Sequence, residues 1–162
     1  MSKPILDVCC GSKMFWFDKD NPFVEFCDIR DVDEYEFYPG RNISIKPDTV
    51  CDFTHLPFAD STFKLVVFDP PHLIKAGDNS WLVAKYGKLS GNWEETIRKG
   101  FSECFRVLEL NGVLVFKWSE YDIPLSKILK LTDYKPLFGH KSGRLNKTHW
   151  LCFMKFEEVK TP

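Results

Sequence analysis

Leu65 to Leu73, LVVFDPPHL, constrains this chain more than any other stretch. Leu65, Val66, Val67 and Phe68 put no polar residue on either face, which suits a strand buried on both sides, as in a parallel sheet. The strand must end at Asp69. Pro70 and Pro71 have no N–H to give a ladder, and Pro70 steers the residue before it away from helix. The backbone therefore leaves the sheet extended with its carbonyls unpaired, and it gathers an acid, a free carbonyl and the His72 ring at a strand's carboxyl end. Ligands of open α/β sheets bind at that edge. Two readings are open. Either Asp69 and the Pro70 carbonyl accept hydrogen bonds from an amino group while His72 packs on the attached ring, or the strand simply ends in a Pro-Pro turn capped by an acid.

Shorter apolar runs upstream end in acids as well. Pro4 to Val8 makes a strand with Asp7 at its end, followed by the small residues Cys9, Cys10, Gly11 and Ser12. Small side chains let a backbone approach a ligand, and Gly11 can take conformations closed to other residues. Lys13 to Asp18 is predicted to form a single helical turn whose amino end faces the Asp69 edge. Phe23 to Cys27 is a second strand, closed by Asp28. Nucleotide-binding halves place a ribose-holding acid about 20 residues after the first strand, and Asp28 falls there. GxGxxG is absent, so two buried strands with solubilising acids remain the alternative. Arg30 to Asp48, charged and aromatic without a clear period, is expected to be a loop with at most a short helical piece. Val50 to Phe53 reads as a third strand ending at Asp52 and Phe53, an acid and a ring suited to a purine's amino group and face, or else a strand-end acid beside a core phenylalanine.

Between His72 and Trp93 the chain runs on long, with Gly77, Gly87 and Gly91 spacing Lys75, Trp81, Lys85, Tyr86, Lys88 and Trp93. Long connections in compact domains often serve as lids or binding loops, and aromatics among lysines suit bases and phosphates. A poorly ordered excursion with a small helix at Trp81 to Tyr86 is the plainer reading. Asn92 to Glu109 is the clearest helix: Asn92 caps it, Glu95 stands where a capping box places an acid, Ile97, Phe101, Cys104, Phe105 and Leu108 form one stripe, and Gly112 closes it. Val113 to Phe116 is the next buried strand, with Lys117 and Trp118 at its outgoing end. A helix at Leu125 to Leu131 and strands at Tyr134 to Phe138 and Trp150 to Phe156 complete the chain. The basic connection GHKSGRLNKTH is either a finger for a phosphate backbone or a plain solvated hairpin.

At 162 residues, 44% of them hydrophobic, the chain is one domain's worth with a full core. A formal charge of −1 removes any global case for a polyanion partner, so nucleic-acid contact must come from local patches. The six cysteines contain no CxxC pair, and several lie in apolar runs, which argues against disulfides and against a metal site. MSKPILDV is too quickly acidic for a signal peptide and no run approaches a membrane span, so a soluble cytoplasmic protein is expected.

In order and spacing, the strand with Asp7 and its small-residue loop, the strand with Asp28, the strand with Asp52 and Phe53, and the strand with Asp69-Pro70-Pro71-His72 resemble the class I S-adenosylmethionine-dependent methyltransferases. The D-P-P plus ring motif is similar to that of amino-methyltransferases of nucleic-acid bases. The resemblance covers nearly the whole chain. It implies a single-domain Rossmann-like α/β fold over residues 1–162, mostly parallel with an antiparallel C-terminal strand, and S-adenosylmethionine as cofactor. Cys9 to Ser12 would receive the methionine part of the cofactor with Asp7 in support, Asp28 with Ile29 the ribose hydroxyls, and Asp52 and Phe53 the adenine. Asp69, the Pro70 carbonyl, Pro71 and His72 would form the target site, with Asp69 also bordering the cofactor. The substrate implied is adenine N6 or cytosine N4 of nucleic acid, DNA ahead of RNA. Cys9 and Lys13 stand where the family usually has glycine, and His72 where it has tyrosine, phenylalanine or tryptophan. The chain is too short for a target-recognition domain, which leaves low selectivity or a protein partner. A methyltransferase of protein glutamine or of a small amine, and a non-catalytic cofactor-binding module, are the alternatives.

Overall fold

The structure is a computed structural model that describes residues 3–157. Its strands are β1 (Ile5–Asp7), β2 (Val24–Asp28), β3 (Val32–Tyr38), β4 (Arg41–Ile45), β5 (Thr49–Val50), β6 (Phe63–Phe68), β7 (Leu108–Ser119), β8 (Phe138–Ser142) and β9 (Thr148–Met154). Its helices are α1 (Trp81–Tyr86), α2 (Trp93–Val107) and α3 (Leu125–Ile128), the last extended by a 3-10 turn at Leu129–Leu131. Seven strands form one sheet in the order β5-β2-β1-β6-β7-β9-β8, while β3 and β4 pair apart from it. The strands from β5 to β7 are mutually parallel, and β9 runs antiparallel to both β7 and β8. The chain leaves β1 towards β2 and β5, then returns to β6 on the other side of β1. That reversal is a topological switch point, where the loops after β1 and β6 part and leave a crevice.

Helix α2 carries the core. Asn92 accepts the Glu95 N–H at 3.2 Å, and Ile97, Phe101, Cys104 and Phe105 are buried along one face. Phe101 meets the rings of Phe116 and Phe68 at 4.8 and 5.5 Å, which clamps α2 over β6 and β7. Gly100 makes this approach possible. A Cβ there would lie 2.6 Å from Phe68 and 2.8 Å from Phe53, so any side chain would force those rings to shift. Val66, Val67 and Phe68 are buried as a central parallel strand requires, and Leu65 is half-buried.

Several local expectations fail for physical reasons. Lys13 to Asp18 is a series of turns, not a helical turn: Lys13 sits at φ 54, which breaks a helix, and Trp16 is drawn to the sheet by its indole hydrogen bond to Asp7. Arg30 to Asp48 is the β3–β4 hairpin turning at Pro39-Gly40; two register shifts scramble its alternation, so the pattern looks aperiodic in sequence. The strand expected over Val50 to Phe53 pairs only at Thr49–Val50, so Asp52 and Phe53 lie in the loop beyond it. Gly112 does not close α2, which passes straight into β7 at Leu108. It follows Asn111 (φ 62) inside the strand, where a Cβ would meet Leu108 at 2.8 Å. The last two strands lie nearer the basic connection than expected, leaving a short turn at Gly143–Lys147. No helix among the described residues is long and apolar enough to cross a membrane.

Candidate active site

The carboxyl ends of β1, β2, β6 and β7 open on one cavity of about 380 Å³. At one end lies the loop after β1. Gly11, at φ 50, turns its N–H to Asp28 Oδ2 at 2.9 Å, and Ser12 donates its hydroxyl to the Ser44 carbonyl at 2.7 Å, fastening the loop to β4. Cys9, Cys10, Gly11 and Ser12 all line the cavity. Burial pushes the Cys9 and Cys10 thiols well above their ordinary range, so both stay protonated, as small apolar groups and not nucleophiles.

Asp7 lies behind this loop and does not reach the cavity wall. It is fully buried, accepting the Cys9 N–H at 3.2 Å and the Trp16 indole N–H at 2.7 Å. With no ion-pair partner among the described residues, its carboxyl is raised by burial to about 7 against the pull of those two donors. Asp28 has a cation: Arg30 gives it a backbone N–H at 2.9 Å and its Nε at 3.0 Å, both at Oδ1. Ile29, 64% exposed, borders the cavity mouth, and Asp52 and Phe53 line the same end. Asp52 receives the Thr54 N–H at 2.8 Å, and Phe53 packs edgewise on Phe68 at 5.3 Å.

Asp69, Pro70, Pro71 and His72 line the other end. Asp69 Oδ2 receives Lys117 Nζ at 2.6 Å; Oδ1 and the Pro70 carbonyl have no hydrogen-bond partner among the described residues. Burial pushes the Asp69 carboxyl up while Lys117 works against the shift. The same burial, with Lys117 nearby, lowers His72 to about 4, so its imidazole is neutral at physiological pH. The His72 ring stands 5.8 Å from Tyr86 and 6.3 Å from Trp118.

Residues with no local motif complete this end. Lys117 and Trp150 face each other across β7 and β9, and Phe15 meets Trp150 edge-on at 5.6 Å. Lys117 and Trp118 stand out as strand-end residues in the sequence, and the segments beside Phe15 and Trp150 read as facing the Asp69 edge and as a basic connection, but neither Phe15 nor Trp150 is itself singled out. Arg30, Lys85, Tyr86 and Lys88 also line the cavity. The long connection after His72 is ordered over it: Ser80 caps α1, Arg30 Nη1 donates to the Ala84 carbonyl at 3.1 Å, and Trp81 packs on Phe37 of the β3–β4 hairpin at 5.6 Å. Gly87, at φ 76, lets the backbone pass Pro71, where a Cβ would sit 3.1 Å from the proline ring. The basic turn at Gly143–Lys147 lies at this same sheet edge, since Thr148 pairs with Ser119 at the outgoing end of β7.

No family model and no curated protein matches the chain. Solved structures do, over nearly its whole length. A TehB-like S-adenosylmethionine-dependent methyltransferase from Corynebacterium glutamicum aligns at 12% identity over 95% of this chain and 80% of that one, TM-score 0.59. The N-methyltransferase NodS of Bradyrhizobium japonicum aligns at 13% over 94% and 85%, TM-score 0.58. The 1,6-didemethyltoxoflavin-N1-methyltransferase of Burkholderia thailandensis, solved with S-adenosylhomocysteine, aligns at 11% over 94% and 71%, TM-score 0.53. At such identities the likeness is one of fold. The chain has the Rossmann-like class I methyltransferase fold that the resemblance implied, mostly parallel with the C-terminal strand β9 antiparallel to its neighbours.

Proposed function

We propose that the protein is an S-adenosylmethionine-dependent methyltransferase that acts on the exocyclic amino group of a nucleic-acid base, adenine N6 or cytosine N4. One observation carries the reading: strand-end acids and a small-residue loop share one cavity with a carboxylate oxygen and a proline carbonyl that accept no hydrogen bond among the described residues. The residues fit the cofactor. Asp28 suits ribose hydroxyls in exchange for Arg30, Asp52 and Phe53 suit an adenine, and the Cys9 to Ser12 loop comes close enough for the amino-acid part. The cofactor supplies an electrophilic methyl group on sulfonium sulfur.

This chain's own residues prepare the acceptor. The lone pair of an exocyclic amine is spread into its ring, which makes it a poor nucleophile. Asp69 Oδ1 and the Pro70 carbonyl accept its two hydrogens and favour the geometry in which that pair localises on nitrogen. Asp69 would take the proton that the nitrogen sheds as it is methylated, and would pass it to water. Positive charge grows on nitrogen beside a carboxylate, so the transition state is held more tightly than the ground state. A paired base cannot reach this depth, so the target is single-stranded or flipped out, with its ring against neutral His72.

A small aliphatic amine, cationic at neutral pH, would meet the Lys117 ammonium at the carboxylate it needs, so the site favours a neutral amino group. Labelled-methyl transfer to DNA, RNA and protein pools, followed by nucleoside digestion, tests the reading. N6-methyladenine or N4-methylcytosine in the digest is the expected product. Label in protein alone, or cofactor binding with no transfer to any pool, would refute it.

A further inference from the structure

We infer that Lys117 is a specificity-determining residue: the acceptor end takes an amino group that shares its planar edge with a hydrogen-bond acceptor, and Lys117 donates to that acceptor. The inference rests on the amino-methyltransferase reading and narrows it. Phe116 pairs with Phe68 across β7 and β6, so the next residues of the two strands, Lys117 and Asp69, emerge side by side at the cavity. Lysine Nζ has three donors, and Asp69 Oδ2 takes one at 2.6 Å. The ammonium also lies 5.5 Å from the Trp150 ring and 5.9 Å from the Phe15 ring, and cation–π attraction keeps it at the cavity wall instead of in solvent. Its side chain is only 24% exposed.

Across one carboxylate, then, the wall offers a donor at Oδ2 and, among the described residues, a free acceptor at Oδ1, with the Pro70 carbonyl next in the chain. That pattern complements an amino group with an acceptor next to it. Adenine presents N6 beside N1 and cytosine N4 beside N3, so both match. An amino group whose neighbouring ring position is C–H leaves Lys117 without its partner, and a charge-assisted bond is the stronger kind to lose. Lys117 thus reads the feature that N6 and N4 targets have in common, and an amine without that neighbour is excluded.

Single-stranded oligonucleotides carrying 1-deazaadenine or 3-deazacytosine in place of the accepted base test this, because the amino group stays while the ring nitrogen becomes C–H. Wild-type protein should lose about tenfold or more in kcat/KM on the analogue. Lys117→Met should lose a comparable factor on the natural base and nothing further on the analogue, with Lys117→Arg recovering part of the discrimination. Unchanged thermal unfolding and cofactor affinity in Lys117→Met separate lost recognition from lost fold. Full discrimination in Lys117→Met, or a wild type indifferent to the analogue, overturns this inference alone. Absence of transfer to any natural oligonucleotide overturns the reading of the site and this inference with it.

Discussion

The two ends of the cavity hold their key carboxylates differently. Asp28 is gripped by its own neighbourhood: the Gly11 N–H from the adjacent parallel strand's loop and Arg30 two positions on. Asp69 is gripped by Lys117, 48 residues away, which is itself wedged between Phe15 and Trp150. One end is backbone geometry and the other is side chains delivered by the sheet order. Substitutions should therefore separate cofactor binding from transfer instead of damaging both together.

The largest effect expected is on that separation. Asp69→Ala should reduce kcat by about a thousandfold, the upper range for a group that acts on transition-state charge, with cofactor Kd changed by no more than about threefold. Asp28→Ala should do the reverse, weakening the cofactor by about ten- to a hundredfold in calorimetry while sparing kcat at saturation. Parallel losses in both variants would erase the distinction between the two ends.

Asp7 sharpens the contrast, since it is a buried acid with donors but no ion-pair partner among the described residues. Its folded pKa of about 7 lies above its unfolded value near 3.8, so between those pH values the folded state binds the extra proton and stability falls as pH rises. The contribution is present below about pH 4, declines towards pH 7 and is gone above it. Comparing urea unfolding at pH 5 and pH 7.5, the wild type should lose about 2–3 kcal/mol more than Asp7→Asn. Equal pH slopes in the two proteins would mean Asp7 is ionised in the fold.

How much could be read in advance follows the same division. Asp28, Asp52 and Asp69 were legible because each stands at the end of its own apolar run, and the sheet edge gathers such ends without further instruction. Trp150 and Phe15 were not legible. They reach the site only because β9 inserts beside β7 and because Trp16, hydrogen-bonded to Asp7, draws the segment beside Phe15 onto the sheet. The β3–β4 hairpin was missed because its register shifts destroy the period-two pattern, and with it went the prop beneath α1. Glycines misled in the other direction: Gly112 suggested a helix end, but the need it meets is close packing against Leu108.

Gly100 tests whether that packing reaches the cofactor end. A methyl group there must displace both Phe53 and Phe68, costing about 1–3 kcal/mol by overpacking, partly offset by about 1 kcal/mol of helix propensity. Gly100→Ala should lower the unfolding free energy by about 1 kcal/mol and weaken cofactor binding through Phe53, while discrimination among acceptor bases stays as in wild type. A variant as stable as wild type with unchanged cofactor affinity would show that α2 has slack.

The smallest effect concerns the basic turn beside the acceptor end. Lys141, near the end of β8, and Arg144, in the turn itself, are exposed and form no ion pair among the described residues, and both lie at the edge that carries Asp69. If nucleic acid lies there, these cations neutralise phosphates, and each contact should add about 0.7 to the slope of log affinity against log salt on a single strand. Changing both to alanine should reduce that slope by about 1.4, with kcat and base preference intact, because phosphate contacts position a substrate without reading it. Lys127 and Lys130, exposed on the α3 segment, provide the control: their replacement should leave the slope unchanged. An equal reduction from either pair would make the turn one part of a diffuse surface field and not a contact at the acceptor end.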